Sequence, residues 1–330
     1  MIKQIIAEIG SVHDGSIGNA LNLISLAKTN GADIVKFQHH LANEEMTNRA
    51  KPPHYFKSEK RHEYFERIFF SENQLSKIIS HCKKINVRFL CSPFSEKSVE
   101  ILEHLKVDAY KIASGELTNL PLIEKIGKTK KKVYLSTGMS NFREIKEAIN
   151  ILSKNELIVM QCTSQYPCDI KSVGLNNIQK FKKEFKQQIG FSDHYLGIEA
   201  GIAAAALGAT VIEKHITFSR SMYGSDAKFA LEPEEFKVYC MSIKNVWKML
   251  DNPVNKNNLN TFKIMRQTFQ KSIVMAREKK KGEVINKDDL KFKKPGDGIP
   301  PKNYPKIIGR ILNKNKKADS QVFFSDLKKS

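Results

Sequence analysis

No Cys-x-x-Cys pair occurs among the five cysteines (Cys82, Cys91, Cys162, Cys168 and Cys240), and their number is odd. Neither a thiolate zinc site on that spacing nor a closed disulfide framework is suggested, and a reducing compartment fits best. There is no Walker A sequence, and no Gly-x-Gly-x-x-Gly follows the first β-type run, so a P-loop and a dinucleotide cofactor are not expected. The longest low-polarity stretch, Ala200 to Ala209, is shorter than the roughly 20 residues a bilayer requires, so no membrane span is expected. Residues Met1 to Glu8 lack a basic region, a long apolar run and a small-residue cleavage site, and the expectation is a cytoplasmic protein. Acidic side chains are the scarce charge: 35 Asp and Glu stand against 55 Lys and Arg in 330 residues, a net charge of +20.

What is present is ordinary globular chemistry, 41% hydrophobic and 27% charged, on a chain long enough for one α/β barrel of roughly 250 residues and a small appendage. Eight short β-type runs each precede a helical pattern, the signature of a parallel sheet with crossover helices. They cover Ile2 to Gly10, Asp33 to His39, Arg88 to Phe94, Asp108 to Ser114, Val133 to Gly138, Leu157 to Thr163, Ile189 to His194 and Val211 to Thr217. The expected fold is a closed (β/α)8 barrel over residues 1–250. An Asn-rich linker at 251–262 and a small, mostly β domain at 263–330 follow it. No internal repeat is evident beyond the strand–helix alternation. Long loops are expected at 40–71 and 218–233, both on the face where such barrels carry their chemistry.

The carboxyl ends of the eight runs are unusually polar. Lys36 and Lys111 gather with Ser92, Ser114, Ser136 and Ser192, a set of point charges and hydroxyl donors suited to an anion such as a phosphate. Any one serine could merely cap a turn; two in-barrel lysines need something to compensate them. His194 and His215 end neighbouring strands, which suits an exchangeable divalent ion completed by water and substrate oxygens, although a lone histidine is more often structural. Asp193 should point outward by strand alternation. Glu8 faces the same mouth as Lys36, either as a general acid or base or sugar ligand, or in a salt bridge to a neighbouring lysine.

In order along the chain, the sequence carries Ala7-Glu8-Ile9-Gly10 with His13-Asp14-Gly15, then Val35-Lys36-Phe37-Gln38, Ser92-Pro93-Phe94-Ser95 and Tyr110 to Glu116. Leu135 to Met139, Cys162-Thr163-Ser164 with Tyr166-Pro167, Phe191 to His194, Glu213-Lys214-His215 and Gly224-Ser225-Asp226 complete the set. This combination resembles the sialic acid synthase family: the N-acetylneuraminate, legionaminic and pseudaminic acid synthases. Lys293 to Ile299 looks like that family's antifreeze-like, or SAF, domain. The resemblance implies an enzyme that condenses phosphoenolpyruvate with an N-acetylmannosamine-type sugar, releasing phosphate and giving a nine-carbon 2-keto acid. It implies that Lys36, Ser92, Lys111, Ser114, Ser136, Ser164 and Ser192 hold phosphoenolpyruvate and that His194 and His215 hold Mn2+ or Mg2+. Glu8, Gln38, Phe94, Glu116, Tyr166, Asp226 and Lys294 would contact the sugar, the last of these from the partner chain of a domain-swapped homodimer.

Three positions depart from the family's usual pattern. Val12 and Ser164 stand where many members have Asn. Lys294 stands where members often have Arg, and lysine lacks arginine's planar fork.

Arabinose 5-phosphate and erythrose 4-phosphate synthases share the reaction class but need a second phosphate site. A catalytically dead sugar-binding homologue would have lost strand-end groups, and Glu8, Lys111, His194 and His215 are all present. A nucleic-acid-binding module is the other reading of the charge. Residues 263–330 carry 19 Lys and Arg against 7 Asp and Glu, so +12 of the +20 sits in the tail. The excess is mostly lysine, with few interleaved aromatics and no recognition motif, so no specific nucleic acid is expected.

Overall fold

The structure is a computed structural model that describes residues 2–328. The chain divides into two compact units, Met1–Asn252 and Pro253–Ser330.

In the first unit eight parallel strands close into a barrel in sequence order. They are β1 (Gln4–Gly10), β2 (Ile34–His39), β3 (Arg88–Pro93), β4 (Ala109–Ile112), β5 (Lys132–Ser136), β6 (Leu157–Cys162), β7 (Gln188–Asp193) and β8 (Val211–His215). Each lies within two residues of the run expected from sequence, because β-branched runs bounded by Gly, Asn and Asp mark strands well. The layer around them contains α1 (Ile17–Thr29), α2 (Ala42–Glu45), α3 (Arg61–Ile68), α4 (Glu72–Lys84), α5 (Glu96–His104) and α6 (Leu120–Lys128). It continues with α7 (Phe142–Ile151), α8 (Asn176–Glu184), α9 (Glu199–Ala206) and α10 (Pro233–Asp251). The stretch 40–71, expected as loop, contains α2 and α3. Tyr64 and Ile68 of α3 pack on Phe56 in a small core of their own, which gives this excursion a fixed shape.

The period-two alternation of strands sorts the barrel interior into layers. At the amino ends, Ile6, Ile34, Leu90, Tyr134, Ile158, Met160 and Val211 fill the inside. Gly190 keeps this layer closed, since a Cβ there would sit 2.9 Å from the Val211 carbonyl and 3.1 Å from Met160. One pleat further along each strand come Glu8, Lys36, Ser92, Lys111, Ser136, Ser192 and Glu213. The alternate residues, such as Ile5, Ala7, Val35 and Phe37, face the helices and form the main core.

Asp193 points outward as expected. It pairs with Lys214 at 3.1 Å, both side chains fully buried, and accepts from the Tyr239 hydroxyl of α10 at 3.0 Å.

The second unit contains a short helix, α11 (Lys263–Phe269), and an antiparallel pair, β9 (Ser272–Met275) and β10 (Leu290–Lys293). Ile273, Met275, Ile285, Leu290, Ile299, Ile307, Leu312, Val322 and Leu327 make its core. This unit does carry an internal repeat. Lys279 and Lys316 exchange paired backbone hydrogen bonds of 2.8 Å. Ten residues after each lysine comes a buried Asp that its ammonium reaches: Asp289 at 2.6 Å and Asp326 at 2.8 Å. Residues 275–290 and 312–327 match in core positions but share few identities, which is why the sequence hides the repeat.

Candidate active site

The polar layer opens into a cavity of about 320 Å³ lined by strand ends and by residues of the 40–71 and 218–233 excursions. Its floor is an ionic cluster. Lys111 Nζ contacts both Glu213 oxygens, at 3.0 and 2.9 Å, and Lys36 Nζ lies 3.4 Å from Glu213 and 2.9 Å from Glu8. Glu213 was visible only as one polar strand end, yet it is what allows two ammonium groups to be buried side by side.

Burial works against the Glu213 charge, but Lys111 and Lys36 outweigh it and hold its carboxyl down to about 2. Burial also opposes the charge on Lys36, and Glu213 with Glu8 overcomes it, holding that ammonium above the ordinary lysine value. Lys111 goes the other way: burial, aided by the like charge of Lys36, lowers it despite Glu213. Burial pushes the Glu8 carboxyl above the usual range against the pull of Lys36.

Hydroxyls ring the cluster. The Ser136 and Ser192 hydroxyls are 2.9 Å apart, and Lys111 reaches Ser192 at 3.5 Å. Ser114 accepts from the Gly138 N–H at 3.0 Å and contacts Cys162 Sγ at 3.5 Å. A Cβ at Gly138 would meet Ser164, Ser114 at 2.8 Å and Cys162 at 3.0 Å, so the missing side chain leaves a hollow lined with donors.

One residue of the expected cradle, Ser92, and one expected sugar contact, Glu116, lie elsewhere. Ser92 is fully buried beneath Lys36, at 3.5 Å from its ammonium, and does not line the cavity. Glu116 lies in an adjoining groove, bonded to Asn119 at 2.8 Å. Lys294 belongs to the second unit, where its ammonium stands 5.3 Å from the Phe269 ring.

The two histidines converge, with ring centroids 5.9 Å apart. His194 Nδ1 faces the Thr163 carbonyl at 2.9 Å and therefore donates, leaving Nε2 toward the cavity and the Tyr166 hydroxyl at 3.1 Å. Cys162 Sγ is 3.8 Å from His194 Nδ1. Burial disfavours both their charges, but mutual attraction outweighs it, raising His194 and lowering Cys162. Burial lowers His215 to about 4, and its Nδ1 is buried without a partner. Among the described residues no third His, Cys, Asp or Glu joins them as a metal cluster. The donor set fits an open divalent site that leaves its remaining positions to water and substrate; His194 Nε2 and the unpartnered His215 ring would hold the ion.

The remaining walls suit a polyhydroxylated ligand. Asp226 accepts from the Ser11 N–H and hydroxyl, both at 2.8 Å, and from Ser225 at 3.0 Å. Burial opposes its charge, but His215 and these bonds hold its carboxyl below the usual range. Gly10, at φ 51°, makes room for the Asp226 carboxylate, which a Cβ would strike. Gln38 donates to Glu8 at 2.6 Å. Tyr166 lies tilted against His194 with centroids 4.3 Å apart, and Phe94 stacks on His40 at 3.9 Å. Ser11, His40 and Tyr55 line the cavity and were not singled out from sequence, and Cys162, which also lines it, was read only as part of a motif. Only position carried a signal for them: Cys162 ends β6, and His40 follows β2 directly.

Comparison with known proteins identifies the family. The NeuB family matches residues 23–256 and the SAF domain residues 270–328. The N,N'-diacetyllegionaminic acid synthase of Campylobacter jejuni is 38% identical over 328 residues, covering 96% of this chain and 98% of the relative. The pseudaminic acid synthase of Campylobacter jejuni strain 81-176 is 31% identical, covering 98% of this chain and 94% of the relative. A crystal structure of the N-acetylneuraminic acid synthetase of Leptospira borgpetersenii, in complex with citrate, superimposes with a TM-score of 0.72 at 28% identity, over 80% of this chain and 90% of that one. With its polar strand ends gathered in one cavity, this chain belongs to the NeuB family of sialic acid synthases, enzymes built on a catalytic barrel, and carries a SAF domain after it.

Proposed function

We propose that the enzyme condenses phosphoenolpyruvate with an N-acetylmannosamine-type acylamino sugar in its open aldehyde form, with Mn2+ or Mg2+ held by His194 and His215. The observation that carries this reading is the buried Lys36–Glu213–Lys111 cluster, ringed by hydroxyls and set beside Glu8 and two imidazoles in one cavity. Lys111, Ser114, Ser136, Ser164 and Ser192 bind the phosphate. The dianion restores the favourable field that burial takes from the Lys111 ammonium. Lys36 binds the carboxylate end.

Glu8 accepts sugar hydroxyls and moves a proton to or from the reacting oxygen. Gln38 and Asp226 hold further hydroxyls, and Phe94 and Tyr166 flank the ring carbons. The cation supplies Lewis acidity toward the aldehyde oxygen. The enol carbon then forms the new C–C bond, water adds to the resulting oxocarbenium carbon, and phosphate leaves with its bridging oxygen.

The relatives are named for legionaminic, pseudaminic and N-acetylneuraminic acids, so N-acetylmannosamine and its 2,4-diacetamido deoxy analogues are the acceptors to test. The reading extends to a homodimer in which Lys294 of one chain contacts the acylamino group bound by its partner. It places the reaction in the cytoplasm, in keeping with five free, buried cysteines.

The test is phosphate release from phosphoenolpyruvate with Mn2+ and each sugar in turn. Release should depend on one of them and stop on adding a divalent chelator. No release with any of them would overturn the reading.

A further inference from the structure

The cavity does not end at its rim. A groove of about 560 Å³ adjoins it, and Arg61, Phe94 and Gly115 line both spaces. Arg61 opens α3, and its guanidinium carbon stands 5.9 Å from the centroid of Phe65, one turn further on. Phe65 lies 3.9 Å from His40, and His40 lies 3.9 Å from Phe94. Arg61 and Phe94 therefore end one row of flat groups along the rim, and Gly115 puts no side chain across the opening.

Among the cations of the cavity Arg61 stands apart. Lys36 and Lys111 are held by buried carboxylates, whereas the Arg61 side chain has no ion pair or hydrogen bond among the described residues. Its N–H groups remain for a ligand. Glu116 supplies the opposite sense of hydrogen bonding: Asn119 Nδ2 donates to its Oε2 at 2.8 Å, which leaves Oε1 to accept. Met46, Ala50 and Leu122 add an apolar wall to the same groove.

Donor, acceptor and apolar wall together match an N-acyl substituent, whose carbonyl accepts, whose N–H donates and whose methyl gains by leaving water. A hydroxyl would leave the apolar wall unfilled. A phosphate fits worse, because Glu44, Glu45, Glu96 and Glu116 line the groove against Arg61 and Lys97, and Lys97 is paired with Glu100 at 3.0 Å.

We propose that Arg61 is a specificity-determining residue that receives a second acylamino group, so that the acceptor is a 2,4-diacylamino deoxy sugar rather than N-acetylmannosamine. Arg61 donates to the acyl carbonyl, Glu116 accepts from the amide N–H, and the methyl packs on Met46, Ala50 and Leu122. The acylamino group that both sugars share stays in the main cavity. The inference rests on the reading of that cavity as a sugar-condensing site and narrows its substrate class.

The experiment compares the full chain with Arg61→Met and Arg61→Lys, reading kcat/KM for the 2,4-diacetamido deoxy analogue and for N-acetylmannosamine with phosphoenolpyruvate and Mg2+ saturating. Arg61 is exposed and unpaired, so the variants should fold as wild type does. Wild type should favour the diacetamido sugar. The ratio of the two values should fall about tenfold in Arg61→Met, which loses a charged donor, and less in Arg61→Lys, which keeps the charge without the fork. A merely structural role would lower both values together and leave the ratio unchanged. That result, or a wild-type preference for N-acetylmannosamine, overturns the proposal.

Saturation-transfer NMR of the diacetamido sugar on the same proteins, with Mg2+ and no phosphoenolpyruvate, reads binding without turnover. Both acetyl methyl signals should be saturated by wild type, and one should weaken relative to the other in Arg61→Met. Equal loss of both, or no saturation by wild type, overturns the proposal. If no sugar is condensed, the functional reading fails on its own, and the methyl signals still decide whether Arg61 holds an acyl group.

Discussion

Glu213 shows how much of the site depends on one carboxylate. Its oxygens touch both lysines, so Glu213→Gln leaves two buried ammonium groups with only Glu8 as counterion. Breaking a buried pair this way costs about 3–5 kcal/mol, and the melting temperature should fall accordingly. Inorganic phosphate should then raise the melting temperature more in the variant than in wild type, because the anion supplies the missing charge. Equal shifts would contradict the cluster's role as an anion cradle.

Gly138 makes the complementary case. Gly138→Ala fills the hollow among Ser114, Ser164 and Cys162 and should raise KM for phosphoenolpyruvate about tenfold, roughly 1.4 kcal/mol of binding, with kcat largely kept. An unchanged KM would show that the phosphate lies elsewhere.

At this scale the sequence was only partly legible. Alternation marked Glu8, Lys36, Lys111 and Glu213 as polar positions on the barrel face. It could not show that Glu213, 102 residues after Lys111, pairs with it, because that contact exists only once the barrel closes. Nor could it show that Ser92 is sealed beneath Lys36 while Cys162 reaches the cavity.

Among the elements, β7 is followed directly by His194 and β8 ends in His215, and the residues just before them form the Asp193–Lys214 pair. This pair ties the two strands together on the outside of the barrel. Lys214 also donates to the Gly197 carbonyl at 3.1 Å, and Tyr239 of α10 closes the cluster. Lys214→Met leaves the Asp193 charge buried and unpaired and should cost about 3–5 kcal/mol; Asp193→Asn combined with Lys214→Met should recover part of that. Thermal or urea unfolding measures both, and a loss under about 1 kcal/mol in the single variant would contradict a structural role for the pair.

Strand positions were legible because apolar β-type runs and their breakers are local signals. The helices at 42–45 and 61–68 were not. They are short, and α3 is held mainly by tertiary packing of Tyr64 and Ile68 on Phe56, which local periodicity does not report.

The molecule as a whole pairs a barrel of mixed charge with a strongly basic second unit, whose lysines serve structure as well as solubility. Lys279 and Arg277 hold Asp289, and Lys316 and Lys314 hold Asp326, with both aspartates buried. Burial opposes the Asp289 charge, but Lys279, the Asn286 N–H and Arg277 outweigh it and hold it down to about 2, against 3.8 for a free aspartate. Asp326 is lowered by the matching set, Lys314 and Lys316, against its own burial.

A depressed carboxyl contributes stability above its unfolded value and loses it as pH falls through the folded one. The second unit's urea midpoint should therefore hold down to about pH 4 and drop between about pH 4 and 2. Hydrogen-exchange mass spectrometry of peptides from 273–327 follows this directly, and Asp289→Asn should flatten the drop.

The basic tail suggested nucleic acid by charge alone. On the proposed function the working cations are instead Lys36 and Lys111, which line the barrel cavity.

Whether this cavity joins phosphoenolpyruvate to an acylamino sugar is decided by mass spectrometry of the products from phosphoenolpyruvate, Mn2+ and a panel of N-acetylmannosamine and 2,4-diacetamido deoxy analogues. A 2-keto acid three carbons longer than one of the sugars should form with equimolar phosphate, and should be absent for Lys111→Met. Phosphate without a sugar-derived keto acid, or no product from any sugar, would contradict the proposed function.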